Sequence, residues 1–211
     1  EIIKSVNQGT LIINYIGHGR YDLWAHEVVL DMSTDLQRID CGRKQAFWIA
    51  GTCYFGRFDN PDYESMSEEL ILLKDNGAIA VFAAARLVGS GPNADLNKLL
   101  YRKLLPSLHY KVRLGDAVAQ ANARGNLEND QKIILFGDPT MYLGNPQHDV
   151  KIIDIEPDSI KALTKMMVRG EIQRDGQRWS DYDGTVLLET FDSRKYRSYT
   201  LEDNSALNYW L

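Results

Sequence analysis

Two short apolar runs, each stopping on a reactive side chain, constrain this chain more than any other feature. The first is Ile12-Ile13-Asn14-Tyr15-Ile16, followed by Gly17-His18-Gly19; the second is Phe47-Trp48-Ile49-Ala50, followed by Gly51-Thr52-Cys53. Both are short, rich in β-branched or aromatic residues and bounded by Gly, the pattern of strands buried on both faces of a parallel sheet. Reactive groups in open α/β sheets gather outside the carboxyl ends of the strands. The intervening stretch is long enough for one right-handed crossover between neighbouring parallel strands. His18 and Cys53 are therefore expected side by side over one crevice.

Such a pairing has a chemical rationale. A free cysteine is only a few per cent thiolate near neutral pH, and an adjacent imidazole can take its proton and later protonate a departing amine. Taken singly, a buried His or Cys is most often a packing residue. Two alternatives use the same side chains. A zinc set of His18, His26, Cys41 and Cys53 has suitable donor atoms, but no C-x-x-C or H-x-x-x-H clamp is present, so no metal site is expected. A Cys41–Cys53 disulfide is opposed by geometry. If residues 45 to 52 form one strand rising about 3.3 Å per residue, its ends lie roughly 25 Å apart, against the ~7 Å that a bridge spans. Cys53 is expected free.

Strands and helices alternate further along, as they do in a parallel α/β sheet. A polar loop and a short segment around Trp24 to Leu36 precede the strand at 46 to 52. Residues 64 to 73 read as a helix with Ser and acidic residues in its first turn, ended by Asn76-Gly77. Ala78 to Ala85 is a third strand, and Asp95 to Leu108 and Leu114 to Ala123 are amphipathic helices. Gly137-Asp138-Pro139-Thr140 turns the chain out of the domain, and no phosphate-binding glycine loop follows a strand. From about His148 the texture changes to period-two alternation at 150–155, 166–172, 185–191 and 197–201, separated by Gly-containing turns. The expected organisation is an α/β domain at 1–147 and an all-β module at 148–211. An immunoglobulin-type sandwich needs about 100 residues, more than remain, so that module is expected to be incomplete. The start, which enters the first strand almost directly, is likewise expected to lie inside a longer polypeptide.

An apolar strand ending in His-Gly, followed by one ending in a small residue and Cys, resembles the caspase and gingipain clan of cysteine peptidases. The wording at Asn14 to Gly19 and at Thr52-Cys53-Tyr54-Phe55-Gly56-Arg57-Phe58-Asp59 is most similar to the gingipain family, and within it to the surface sortase of the type IX secretion system. The resemblance implies a caspase-like, doubly wound, mostly parallel sheet followed by an immunoglobulin-like module. It implies Cys53 as nucleophile, His18 as general acid/base, and the backbone N–H groups of Gly19 and Cys53 as oxyanion hole. The resemblance places the family's acidic partner of the histidine upstream of residue 1, which leaves the His18 tautomer unaccounted for; nothing in the sequence selects Asp22 or Glu27 as a substitute. Candidate substrate contacts are Arg86, which follows the third strand, and Trp24 as a pocket wall. The alternatives are a surface ion pair of Arg86 with Asp59 or Asp62 and plain packing for Trp24. Asp59, Asp62, Glu64 and Glu68 read as a solvated acidic loop and helix start rather than a calcium site.

The composition is that of an ordinary globular chain: 44% hydrophobic, 25% charged, net charge −5. Its mild acidity and scattered Lys and Arg disfavour nucleic acid, and no stretch approaches the length of a membrane span. No cofactor is expected. The resemblance implies a cysteine endopeptidase acting as a sortase-like transpeptidase, which removes C-terminal sorting signals from secreted cargo at the outer-membrane surface. Its partners would be polypeptide substrates and other type IX components. The competing expectation is a catalytically silent scaffold of a secretion or adhesion apparatus.

Overall fold

The structure is a computed structural model that describes residues 1–106, 110–123, 129, 131–146, 148–157, 163–174 and 176–190, with the backbone of 196–200 and 206–210. In chain order it contains α1 (Ile2–Gln8), β1 (Ile12–Ile16), the short hairpin strands β2 (Leu23–Trp24) and β3 (Leu30–Asp31), α2 (Met32–Asp35) and a 3-10 turn (Leu36–Arg38). There follow β4 (Ala46–Gly51), α3 (Met66–Leu72), β5 (Ala78–Ala84), α4 (Ser90–Leu104), α5 (Leu114–Asn122) and β6 (Ile133–Gly137). The four longer strands form one sheet in the order β1-β4-β5-β6. Pairings β1–β4 and β4–β5 are parallel, whereas β6 runs antiparallel to β5.

Side-chain alternation explains why this sheet is covered on both faces. In β4, Phe47, Trp48, Ile49 and Ala50 are all at most 2% exposed. Trp48 and Ala50 point into a core with Val6 of α1, Met66 and Leu70 of α3, Trp24 and Phe55. Phe47 and Ile49 point the other way, onto Leu96, Leu100 and Leu104 of α4 and Leu114, Ala117 and Ala121 of α5. The four-residue spacing of the α4 leucines makes one stripe on one helix face. Fully burying each such side chain stabilises the fold by about 1.5–3 kcal/mol. The result is the doubly wound, mostly parallel sheet expected. Central placement buries β4 on both sides, while β1 is an edge strand among the described residues.

Two elements differ from expectation. Helix α4 begins at Ser90, five residues before the expected Asp95, with Gly91 and Pro92 inside its first turn. There a missing N–H costs nothing, because first-turn N–H groups have no intrahelical acceptor. Strand β6, which ends at Gly137, precedes the expected turn at 137–140 and has no counterpart among the expected elements. The expected helix end at Leu108 lies outside the described residues.

The chain divides into two compact units, Glu1–Asp149 and Val150–Leu211. Across the later region, β7 (Asp149–Glu156), β8 (Met167–Arg174) and β9 (Gln177–Arg178) form one sheet, and β10 (Tyr196–Thr200) pairs antiparallel with β11 (Ala206–Trp210). The all-β character is as expected, with one correction. Residues 185–190 form no strand, and Val186, Leu187 and Leu188 are exposed. Period-two alternation marks a segment that fits a sheet, but without a pairing partner it does not become one. The ends expected at Phe191 and Leu201 lie outside the described residues.

Candidate active site

Parallel pairing sets the site's geometry. The last register pair of β1 and β4 is Ile16 with Gly51, so His18 and Cys53 each follow two residues later at the same end of neighbouring strands. The two arms remain joined past the ladder. Gly17 N–H donates to Gly51 O at 3.4 Å. Gly19 lies so close to Thr52 that a Cβ there would collide with the Thr52 hydroxyl oxygen and sit 2.8 Å from Leu23 O. Thr52 is fully buried, and its hydroxyl has no hydrogen-bond partner among the described residues.

Three bonds hold the histidine arm. The carbonyl of His18 accepts from the Tyr15 hydroxyl and from Ala25 N–H, both at 2.8 Å, and Arg20 N–H donates to Leu23 O at 3.0 Å. The imidazole itself is exposed, with the ring of His26 centred 6.0 Å away. Together with Gly19, Arg20, Leu23 and Ala25, these histidines line a cleft of about 330 Å³ that does not include Cys53. Burial, followed by the nearby Glu27 carboxylate, pushes the Tyr15 hydroxyl above its ordinary value. Of the two acidic residues considered as partners of His18, Asp22 is forked onto Arg20 (2.5 and 3.1 Å) and Glu27 acts on Tyr15.

Cys53 is free and partly exposed. Its thiol donates to Val88 O at 3.7 Å rather than to His18. The residue after it, Tyr54, takes a left-handed backbone (φ 59). An L residue there carries strain that the surroundings must hold, and such outliers concentrate at functional sites. The backbone N–H groups of Gly19 and Cys53 donate to no protein acceptor among the described residues.

The remaining expectations separate cleanly. Arg86 does stand at this end of the sheet, but its guanidinium is forked onto Asp59 at 2.9 and 2.5 Å, holding that carboxyl below its ordinary value. A substrate carboxylate would have to displace Asp59. Trp24 is not a pocket wall. It is 1% exposed, stacked on Tyr15 at 4.6 Å and packed on Trp48 and Phe55, because a bridge between Gly19 and Trp24 folds the hairpin loop inward. Glu68 is spent on a helix start, accepting from Ser65 N–H and hydroxyl at 2.8 and 2.7 Å. Cys41 is buried and unbridged. The described residues contain no group of three or more potential metal-ligating side chains. Val88 was missed as the acceptor of the Cys53 thiol, and His26, weighed only as a zinc ligand, stands beside His18 instead.

Comparison with known proteins agrees with this architecture. No curated protein matches by sequence. Among solved structures, the Arg-specific cysteine proteinase gingipain R (RgpB) superposes with a TM-score of 0.59 at 17% identity, over 83% of this chain and 47% of that one. A complex of the pro- and mature domains of Porphyromonas gingivalis RgpB gives 0.58 at 16% identity, over 83% and 48%. A further structure, described only as a protease, gives 0.51 at 17% identity, over 65% and 36%. The chain thus spans less than half the length of these relatives, and at such identities the likeness establishes the fold. The sequence profile of peptidase family C25 matches residues 1–144. The chain therefore belongs to peptidase family C25, the gingipain family of cysteine peptidases.

Proposed function

We propose that this chain carries a thiol-imidazole pair for peptide-bond cleavage, with Cys53 as nucleophile and His18 as general acid/base. The observation that carries the reading is the Ile16–Gly51 register, from which both residues follow at the carboxyl ends of neighbouring parallel strands. In the proposed reaction the Cys53 thiol leaves Val88 O and passes its proton to His18, and the sulfur attacks the scissile carbonyl carbon. The oxyanion is received by the N–H groups of Gly19 and Cys53, which have no competing protein acceptor among the described residues. Collapse breaks the C–N bond as imidazolium protonates the leaving amine, leaving a thioester. Water or an incoming amine then releases the acyl group. The amine-acceptor version, sortase-like processing of secreted cargo at the outer-membrane surface, is supported by the resemblance at residues 14–19 and 52–59. A domain boundary at residue 147 is supported by the change to period-two alternation from about His148, and an immunoglobulin-like module after it by the family resemblance.

The test is substitution in the protein that carries this chain, with processing of a polypeptide substrate as the readout. Cys53→Ala and His18→Ala are each expected to lower turnover by at least about a thousandfold, and the double variant by little more, because the two act as a unit. Cys41→Ala is expected to leave turnover unchanged, since that thiol is buried against Gly77 O at 3.7 Å, away from the site. Near-normal processing by Cys53→Ala would replace this reading with that of a silent scaffold.

A further inference from the structure

The carbonyl of Gly51, two residues before Cys53, is a junction. It accepts from Gly17 N–H on the histidine arm at 3.4 Å and from the Asn93 side-chain amide at 2.9 Å. Asn93 sits in the first turn of α4 and is 4% exposed. Its side-chain oxygen accepts from Asn129 Nδ2 at 2.8 Å, and Asn129 is completely buried. Asn129 in turn holds both backbone groups of Gly89, donating to its carbonyl at 2.9 Å and accepting from its N–H at 3.2 Å. Gly89 follows Val88, whose carbonyl receives the Cys53 thiol. The path is therefore closed: histidine arm, end of β4, Asn93, Asn129, Gly89, Val88 and the sulfur.

Two amides buried in an apolar layer are costly unless fully bonded, and each polar atom described above has a partner. Leucine-like residues would fill the space without that requirement. The backbone groups the amides hold are those that set the position of the sulfur and of its resting acceptor. We infer that Asn93 and Asn129 are positioning residues for Cys53, which hold the end of β4 and the Val88-Gly89 turn in one fixed relation. The inference rests on the peptidase reading above. Misplacing a reacting group by about 1 Å can cost about 10²-fold in rate.

The test measures kcat and KM per folded molecule on a fluorogenic peptide that the unaltered protein cleaves, beside thermal melting. Asn93→Ala, Asn129→Ala and the isosteric Asn129→Asp, which lacks both Nδ2 donors, are expected to lower kcat about 100-fold with KM within about twofold. Asn97→Ala is the control: it is on the same helix, 8% exposed, and bonded to Asn14 Oδ1 at 3.0 Å. It is expected to lower stability with kcat per folded molecule unchanged. Unchanged kcat in the folded Asn93 and Asn129 variants overturns the inference, as does equal loss in Asn97→Ala. Failure of all three variants to fold also counts against it, because the network would then be structural. An unaltered protein that cleaves no peptide, or one that Cys53→Ala does not impair, defeats the peptidase reading itself and is recognised before the asparagines are compared.

Discussion

At Gly19, one methyl group decides whether the histidine arm can lie against the cysteine arm. A Cβ there would meet the Thr52 hydroxyl, which is buried, and the Leu23 carbonyl, which is backbone; neither can yield cheaply. Gly19→Ala is expected to cost about 1–3 kcal/mol of stability through overpacking and roughly 10²-fold in turnover through displacement of His18. Gly144→Ala, where a Cβ meets nothing within 4 Å, is the neutral comparison in melting and activity assays. A fully active Gly19→Ala protein would show that the close approach is incidental. The placement of His18, Gly19 and Cys53 just past the ends of neighbouring strands was legible, because apolar runs that stop on Gly speak locally. Arg86 was legible only as alternatives, since nothing in its neighbourhood in sequence selects Asp59. Asn93, Asn129 and Val88 were not legible at all, because a side chain bonded to distant backbone leaves no periodic trace.

Helix and strand starts follow the same division between local and distant causes. Asp31 caps α2, accepting from Ser33 N–H at 2.8 Å, Thr34 N–H at 3.1 Å and the Ser33 hydroxyl at 2.5 Å. The Ser33 hydroxyl bond, and then the backbone bonds, hold its carboxyl below the ordinary value against the opposing effect of burial. A carboxyl depressed in the folded state stabilises fully above its unfolded value of about 4, and that contribution is lost as pH falls through the folded value. Asp31→Ala is therefore expected to cost about 0.5–1 kcal/mol at pH 7 and less at pH 2.5, read from urea unfolding at both. A cost independent of pH would remove the carboxylate from the account. The β4 and β5 strands were legible from unbroken apolar runs. Strand β6 was not, since a run of four apolar residues before a glycine fits a strand or a buried helix equally. The start of α4 was hidden by Gly91-Pro92, which reads as a turn. Segment 185–190 reads as a strand and is none, because pairing is supplied by another part of the molecule.

On the scale of the molecule, one sheet with helices on both faces accounts for the core of Glu1–Asp149, and this was legible as a class from the alternation of elements. The later strands leave Val150, Ile152 and Ile153 more than half exposed, a burial pattern no local reading supplies. The sheet order carries a further consequence. Cys53 is mounted on a strand flanked on both sides, whereas His18 is mounted on β1, paired on one side only among the described residues. Segments with fewer paired neighbours open at lower free energy than the global transition. Amide hydrogen exchange is therefore expected to be faster in β1 than in β4. On gentle warming, peptide turnover should fade reversibly while the core around Trp48 is still folded, the imidazole wandering off before the sulfur has moved. Equal protection of the two strands, or activity that disappears only with the main melting transition, would contradict this order of events. Within the described residues the proposed pair is thus held unevenly, the sulfur by a strand with two neighbours and the imidazole by a five-residue strand with one.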